Sequence, residues 1–190
     1  MNTDSKLKII NAKLVNEGNV FDGEILIVND RIYKIGSQIE VEGECEIYDA
    51  NGNYVLPGLI DDQVHFREPG LTHKATIATE SKAALAGGIT SFIEMPNTLP
   101  QTTTIEEWET KNKRAADTSF ANYAFMFGGT NDNLEEILAL DTKRVPALKL
   151  FLGSSTGNML VDNPDVLRKI FSNTDLVIAV HCEDEGTIRA

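Results

Sequence analysis

The sequence predicts an α/β fold in which most of the chain forms a parallel sheet covered by helices. From Val55 onward, short apolar segments alternate with segments rich in helix-forming residues, which is the order of a β(αβ)n protein. The apolar segments are nearly continuous, as strands buried on both faces are. Doubly wound sheets and (β/α)8 barrels both fit this pattern. Polar residues at the predicted strand ends favour the barrel, whose active sites lie on that side.

The first part of the chain has a different pattern. Residues 6–15, 25–28 and 31–35 have the alternating or apolar pattern of short strands, and no helical period occurs among them. Asn29-Asp30 between the last two segments predicts a tight hairpin turn. We therefore expect a small β domain over residues 1–54 and the first part of a barrel over residues 55–190.

The second part contains five predicted strands and four predicted helices. We place the strands at 56–62, 90–95, 122–127, 147–152 and 175–180, and the helices at 73–86, 103–116, 132–140 and 163–171. Gly87-Gly88 ends the first helix. Thr103 and Thr104 each precede a glutamate by three residues, as in a capping box, and we expect Asp132 to cap the third helix. Because a full barrel takes about 250 residues, we expect the chain to stop before the barrel closes.

Composition and charge exclude several classes of partner. The 190 residues have a net charge of −12, which argues against nucleic acid or an anionic membrane surface as the main partner. A run of about 18 apolar residues, as a membrane-spanning helix needs, is absent from the sequence. The polar start lacks the features of a signal peptide, and the two cysteines suggest no disulfide framework. We expect a cytoplasmic protein that acts on a small molecule.

The candidate functional residues lie at or near the carboxyl ends of the predicted strands. Gln63 and His65 follow the first strand and share one face of an extended chain, since they are two residues apart. Asn97 follows the second strand, and His181 follows the fifth. Each also has a structural explanation: a hydrogen-bonded histidine at a strand end, or an asparagine that forms a turn.

Lys149 stands alone in an otherwise apolar fourth strand. A buried ammonium is costly unless it is paired or neutral. One interpretation is a lysine whose head group pairs with a carboxylate. The other is a neutral amine that reacts with carbon dioxide to form a carbamate, which has the metal-binding character of a carboxylate.

Four stretches carry a resemblance to a known family. They are Leu56–Gly70, with Phe66-Arg67-Glu68-Pro69-Gly70 at its end, Met95-Pro96-Asn97-Thr98, Lys149–Met159 and Val177–Glu183. Together they resemble the dihydroorotases, in the cyclic amidase branch of the amidohydrolase superfamily. The resemblance implies a TIM-type barrel of the metal-dependent hydrolase kind, with a small flanking N-terminal β-sandwich domain.

The resemblance also implies a metal site and a substrate site. His65, carbamylated Lys149 and His181 would bind one or two zinc ions, with the lysine as a bridge. Gln63 stands where the family usually has the first histidine of a His-x-His pair, so its role as a ligand is in doubt. Glutamine is a weaker ligand for zinc than imidazole.

The implied substrate-binding residues are Arg67 and Asn97, which would hold a carboxylate. An ion pair between Arg67 and Glu68 is the structural alternative for the arginine. The family's general acid/base is an aspartate that is expected beyond Ala190, as is a further histidine ligand. The catalytic residue is therefore not among those named here.

The implied reaction is the zinc-dependent, reversible interconversion of L-dihydroorotate and N-carbamoyl-L-aspartate in pyrimidine biosynthesis. Three alternatives remain open. The first is a hydantoinase, dihydropyrimidinase or allantoinase, which shares the metal pattern. The second is a non-catalytic homologue that binds aspartate transcarbamoylase, an interpretation supported by Gln63. The third is an α/β domain without metal. A homo-oligomer is also compatible with the family.

Overall fold

The computed structural model describes residues 4–153, 158–184, 187–188 and 190. The chain forms two compact units, Met1–Pro57 and Gly58–Ala190. The sequence predicts a small β domain over residues 1–54 and a barrel portion over residues 55–190, and this division stays a prediction. Among the residues described, no helix is long and apolar enough to cross a membrane.

The first unit contains one mixed sheet. Its strands are β1 (Lys6–Asn16), β2 (Asn19–Val28), β3 (Arg31–Gly36), β4 (Glu46–Asp49) and β5 (Tyr54–Val55). The order is β3-β2-β1-β4, with β5 also beside β1. The hairpin at Asn29-Asp30 is confirmed, since β2 and β3 pair antiparallel on either side of it. A second sheet is absent from the described residues of this unit, so the predicted sandwich is not confirmed.

The strands of the second unit run parallel in the order of the sequence. They are β6 (Leu59–Val64), β7 (Ile89–Glu94), β8 (Asn122–Phe125), β9 (Phe127–Gly128), β10 (Leu148–Phe151) and β11 (Ile178–His181). The sheets are β6-β7-β8 and β9-β10-β11. Only Met126 separates β8 from β9, and these two short strands form the third predicted strand. The predicted parallel order of five strands is therefore confirmed.

The bounds of the predicted strands differ from those in the structure, and the first and fifth strands differ in ways that concern the site. The first begins at Leu59 and not at Leu56, and Leu59 and Ile60 are exposed, although the sequence suggests a buried strand. The reason is that, within the described part of the chain, β6 pairs with β7 alone. The fifth strand extends to His181, so this histidine lies on the strand and does not follow it.

The helices are α1 (Ile77–Ala86), α2 (Ile105–Thr118), α3 (Leu134–Leu138) and α4 (Pro164–Asn173). Thr104 caps α2 by accepting a hydrogen bond from the Glu107 amide, as the capping pattern predicts. The N-cap of α3 is Asn133, so the prediction of Asp132 is wrong. Its side chain binds the Thr130 amide and two backbone carbonyl groups, which fixes the loop before the helix.

The parallel strands have two different faces. One, here called the helix face, packs Phe92, Leu148 and Leu150 into a cluster with Trp108 of α2 and Ile170 of α4. The other, here called the opposite face, has a smaller apolar cluster whose members are Ile93, Met95, Met126, Ala147 and Ala179. Lys149 pairs laterally with Ala179 and is two residues from Ala147, so it belongs to the opposite face.

Candidate active site

Four of the predicted site residues lie at the same edge of the parallel strands. His65 directly follows β6, Asn97 follows β7, Lys149 lies in β10 and His181 ends β11. Because parallel strands place their carboxyl ends on one side, the alternation of strands and helices brings these residues to a common edge. Burial lowers the pKa of His65 most, and electrostatic interactions with Arg67 and Lys149 act in the same direction, so the three side chains lie in one neighbourhood.

His65 is oriented by a hydrogen bond to Asn97. Nδ1 of the imidazole lies 2.9 Å from Oδ1 of Asn97. An amide oxygen only accepts, so Nδ1 carries the proton and the Nε2 lone pair is free to bind a metal. Burial lowers the pKa of His65, and the hydrogen bond to Asn97 opposes that shift. The neutral ring favoured by burial is the form that binds metals.

Lys149 is almost completely buried, with 4% of its surface exposed. Its Nζ lies 5.1 Å from the centre of the Phe151 ring. Burial lowers the pKa of Lys149, and electrostatic interactions with Cys182 and Glu183 oppose the shift. Among the described residues, Nζ of Lys149 has no hydrogen bond and no ion pair. The described residues therefore do not supply the carboxylate with which a structural lysine would pair.

His181 is paired with a carboxylate that the sequence analysis did not identify. Its Nε2 lies 2.7 Å from Oε1 of Glu183. A carboxylate oxygen accepts, so Nε2 donates in this contact and Nδ1 is the ring nitrogen left for a ligand. Carboxylates commonly orient metal-binding histidines in this way. The spacing His-x-Glu, which places two residues on one face of an extended chain, is the signal that could have revealed Glu183.

Arg67 has a left-handed backbone conformation, with φ of +68°. Its N–H donates to Oε1 of Glu94 at 3.1 Å, and its carbonyl accepts from the Leu71 amide at 3.0 Å. Such a conformation costs a non-glycine residue roughly 1–2 kcal/mol, so these contacts hold the peptide on both sides. Glu94 was missed by the sequence analysis, although it is a charged residue inside an apolar segment.

The ion pair between Arg67 and Glu68, which was the structural alternative for the arginine, does not form among the described residues. Glu68 pairs with Arg114 of α2 at 3.0 Å, and its other oxygen accepts the Ile77 amide at 2.8 Å. The Arg67 guanidinium has no hydrogen bond or ion pair within the described residues. It is therefore available to a ligand.

The loops after β6 and β7 are packed against each other. The Leu99 amide donates to the Pro69 carbonyl at 3.2 Å. Gly70 approaches Leu99 so closely that a Cβ atom would lie 1.9 Å from its carbonyl oxygen, and its φ is +80°. Only glycine fits here, and the contact keeps Asn97 near His65 and Arg67. The resemblance stretch Lys149–Met159 is only partly described, since Ser154, Ser155, Thr156 and Gly157 lie outside the described residues.

The donor set defines what kind of metal site is feasible. Among the described residues, no group of three histidine, cysteine, aspartate or glutamate side chains could hold an ion. Two imidazoles with free lone pairs and one buried amine fit a metal site if the amine becomes a carbamate. Gln63 is exposed, and its backbone amide donates to Oδ1 of Asp61 at 3.1 Å.

Comparison with solved structures identifies the class of fold. An L-hydantoinase (dihydropyrimidinase) from Arthrobacter aurescens superposes with a TM-score of 0.90 at 29% identity, over 98% of this chain and 42% of that one. A D-hydantoinase (dihydropyrimidinase) from Thermus sp. gives 0.76 at 29% identity, over 96% and 41%. These neighbours are amidohydrolases of the TIM-barrel superfamily, and the parallel strands of this chain have the fold of the part that they match.

Comparison of sequences identifies the family within this class. Residues 52–189 match the family described as dihydro-orotase-like, and the chain belongs to that family. Dihydroorotases from Methanosarcina acetivorans and Lactococcus lactis are 36% and 39% identical, over 94% and 96% of this chain. The chain spans 39% and 43% of their lengths.

Proposed function

We propose that the protein is a dihydroorotase that interconverts L-dihydroorotate and N-carbamoyl-L-aspartate in pyrimidine biosynthesis. The observation that carries the proposal is the contact between His65 and Asn97, 2.9 Å apart, with Arg67 two residues from the histidine. A metal-binding imidazole, an amide and a free guanidinium then belong to one site. The relatives named as dihydroorotases support this substrate.

We assign metal binding to Nε2 of His65, Nδ1 of His181 and a carbamate on Lys149, with Gln63 as a doubtful further ligand. When bound, zinc would supply Lewis-acid polarisation of the ring amide carbonyl and activation of water. Asn97 and Glu183 hold the two imidazoles in the required tautomers by hydrogen bonds to their other nitrogen atoms. One or two ions fit the proposal.

The carbamate forms on the neutral amine of Lys149. The nitrogen lone pair attacks carbon dioxide, an N–C bond forms and one proton leaves to solvent. Burial supports this step because it lowers the pKa of the amine and so raises the neutral fraction. The product carries a negative charge on two oxygen atoms, which the unmodified side chain lacks.

Arg67 and Asn97 bind the substrate carboxylate in this proposal. A guanidinium offers a planar pair of donors to a carboxylate. Asn97 uses Oδ1 for His65, which leaves its Nδ2 donors for the ligand. Dihydroorotate carries a carboxylate beside its ring, and this charge distinguishes it from hydantoin and dihydropyrimidine substrates.

A second candidate is a cyclic amidase of the hydantoinase or dihydropyrimidinase kind, favoured by the TM-score of 0.90 to the L-hydantoinase. Gln63 favours a non-catalytic partner of aspartate transcarbamoylase. Cytoplasmic location, which composition and cysteine content favour, and homo-oligomerisation, which is compatible with the family, are part of the same proposal.

The test is metal analysis of the intact protein combined with assays on dihydroorotate, hydantoin and allantoin. We expect bound zinc and preferential turnover of dihydroorotate. Faster turnover of hydantoin or allantoin would favour the second candidate. Stable folding without activity on any of the three, together with binding to aspartate transcarbamoylase, would favour the scaffold role.

A further inference from the structure

We propose that Glu94, kept in place by Lys111, is a positioning residue that sets the direction of the Arg67 side chain. The inference rests on the proposed function, since Arg67 is the residue assigned there to the substrate carboxylate. Glu94 lies on β7 and Lys111 on α2, and neither belongs to the metal site. Both side chains are only 1% exposed.

The first step is the contact between Glu94 and the backbone of the loop. Oε1 of Glu94 accepts the Arg67 N–H at 3.1 Å. The Phe66 amide also interacts with this carboxylate and contributes to lowering its pKa. A hydrogen bond to a charged acceptor is stronger than one to a neutral acceptor. The carboxylate therefore fixes the peptide group from which the Arg67 side chain departs.

The second step is the strain at Arg67. Its φ of +68° is rare for a non-glycine residue. A left-handed residue directs its side chain differently from an extended one, so loss of the Glu94 contact would let Arg67 relax and point elsewhere. Such strained residues persist only where their surroundings hold them, and they are common in binding sites.

The third step is the role of Lys111. Its Nζ lies 2.9 Å from Oε2 of Glu94, donates to the Met95 carbonyl at 3.2 Å and lies 3.5 Å from the Thr102 hydroxyl. The ammonium compensates the buried carboxylate, whose pKa burial raises and Lys111 lowers. The Met95 contact also links the pair to the backbone just before Asn97.

The experiment separates the hydrogen-bond acceptor from the ion pair. Two double variants of the intact protein, Glu94→Gln/Lys111→Met and Glu94→Met/Lys111→Met, both remove the charges. Only the first keeps an oxygen that can accept from Arg67. Replacement of a buried ion pair by uncharged residues of similar volume is often tolerated, and thermal unfolding checks that both variants fold.

We expect Glu94→Met/Lys111→Met to raise the KM for dihydroorotate at least about tenfold, with kcat changed much less, since the loss falls on substrate binding. The variant that keeps the acceptor should stay within about threefold of the unsubstituted protein. In an Arg67→Met background, loss of the acceptor should have no further effect on KM, because the two residues act through one contact.

Equal KM values for the two double variants would overturn the inference, as would additive effects with Arg67→Met. Hydrogen exchange provides a second measurement that needs no activity. The Arg67 amide should be protected in the unsubstituted protein and in the variant with glutamine, but not in the variant with methionine at position 94. Rapid exchange of this amide in the unsubstituted protein would also overturn the inference. If the unsubstituted protein does not turn over dihydroorotate, the proposed function is wrong. Hydrogen exchange at the Arg67 amide still tests whether Glu94 holds this residue.

Discussion

The two faces of the parallel strands use buried residues for different purposes. On the helix face, Leu148 and Leu150 are fully buried among apolar neighbours. On the opposite face of the same strand, Lys149 is 4% exposed but has no ion pair within the described residues. Burial of leucine stabilises the fold, whereas burial of an amine without a partner is costly. The apolar residues of the helix face therefore stabilise the packing of strands against helices, whereas the opposite face holds the buried amine that we assign to metal binding.

The largest effect is expected from Lys149→Ala. If Lys149 is the carbamylated ligand, metal content should fall and activity should drop by about a thousandfold or more, because a ligand and its charge are lost. The free energy of unfolding of the metal-free protein should change little. Metal analysis and turnover of dihydroorotate measure the first effect, and denaturant unfolding measures the second.

Lys143→Ala is the matched control, since Lys143 is exposed. Added short carboxylic acids should partly restore activity in Lys149→Ala but not in Lys149→Arg, whose guanidinium stays charged. If the metal-loaded, active protein has an unmodified Lys149, the conclusion that this lysine of the opposite face is a metal ligand is wrong.

Arg67→Met should lower kcat/KM for dihydroorotate by about 100-fold, since a charge-assisted contact of roughly 2–3 kcal/mol is lost. Thermal stability should change little, because the guanidinium has no partner among the described residues. Arg168→Met provides the control, as Arg168 is exposed and pairs with Asp165 on the same helix. Unchanged kcat/KM in Arg67→Met would remove Arg67 from the site.

Leu148→Ala tests the helix face. Removal of this fully buried side chain should lower the free energy of unfolding by about 2–5 kcal/mol. The KM of the remaining folded protein should stay close to that of the unsubstituted one. Leu138→Ala, at a residue that is 50% exposed, should cost much less. A large change in KM with little loss of stability would mean that the Leu148 side chain also shapes the site.

Thr104→Ala should have the smallest effect, about 1 kcal/mol of unfolding free energy, because the N-cap of α2 is lost. Thr104→Ser keeps the hydroxyl and should restore most of this stability. The residue lies at the start of the helix that carries Lys111, so activity should change only in proportion to the folded fraction. A selective increase in KM would show that the start of α2 also affects the site.

The sequence by itself determined the order of the parallel strands, the hairpin at Asn29-Asp30 and the strand-end positions of His65, Lys149 and His181. These features follow from local hydrophobic periodicity and from the residues that favour turns, and both depend on residues close together in the sequence. The predicted ends of the strands and the cap of α3 were less accurate, because pairing partners and loop contacts decide them.

Only the tertiary structure decided which charged side chains form ion pairs. Glu68 selects Arg114, which is 46 residues away in the chain, and not the neighbouring Arg67. Glu94 joins β7 to α2 and to the loop after β6, and no sequence pattern indicates this arrangement. The physical reason is that a buried carboxylate takes whichever donors the packing of strands and helices brings within reach, since an unpaired charge in the interior is too costly to remain.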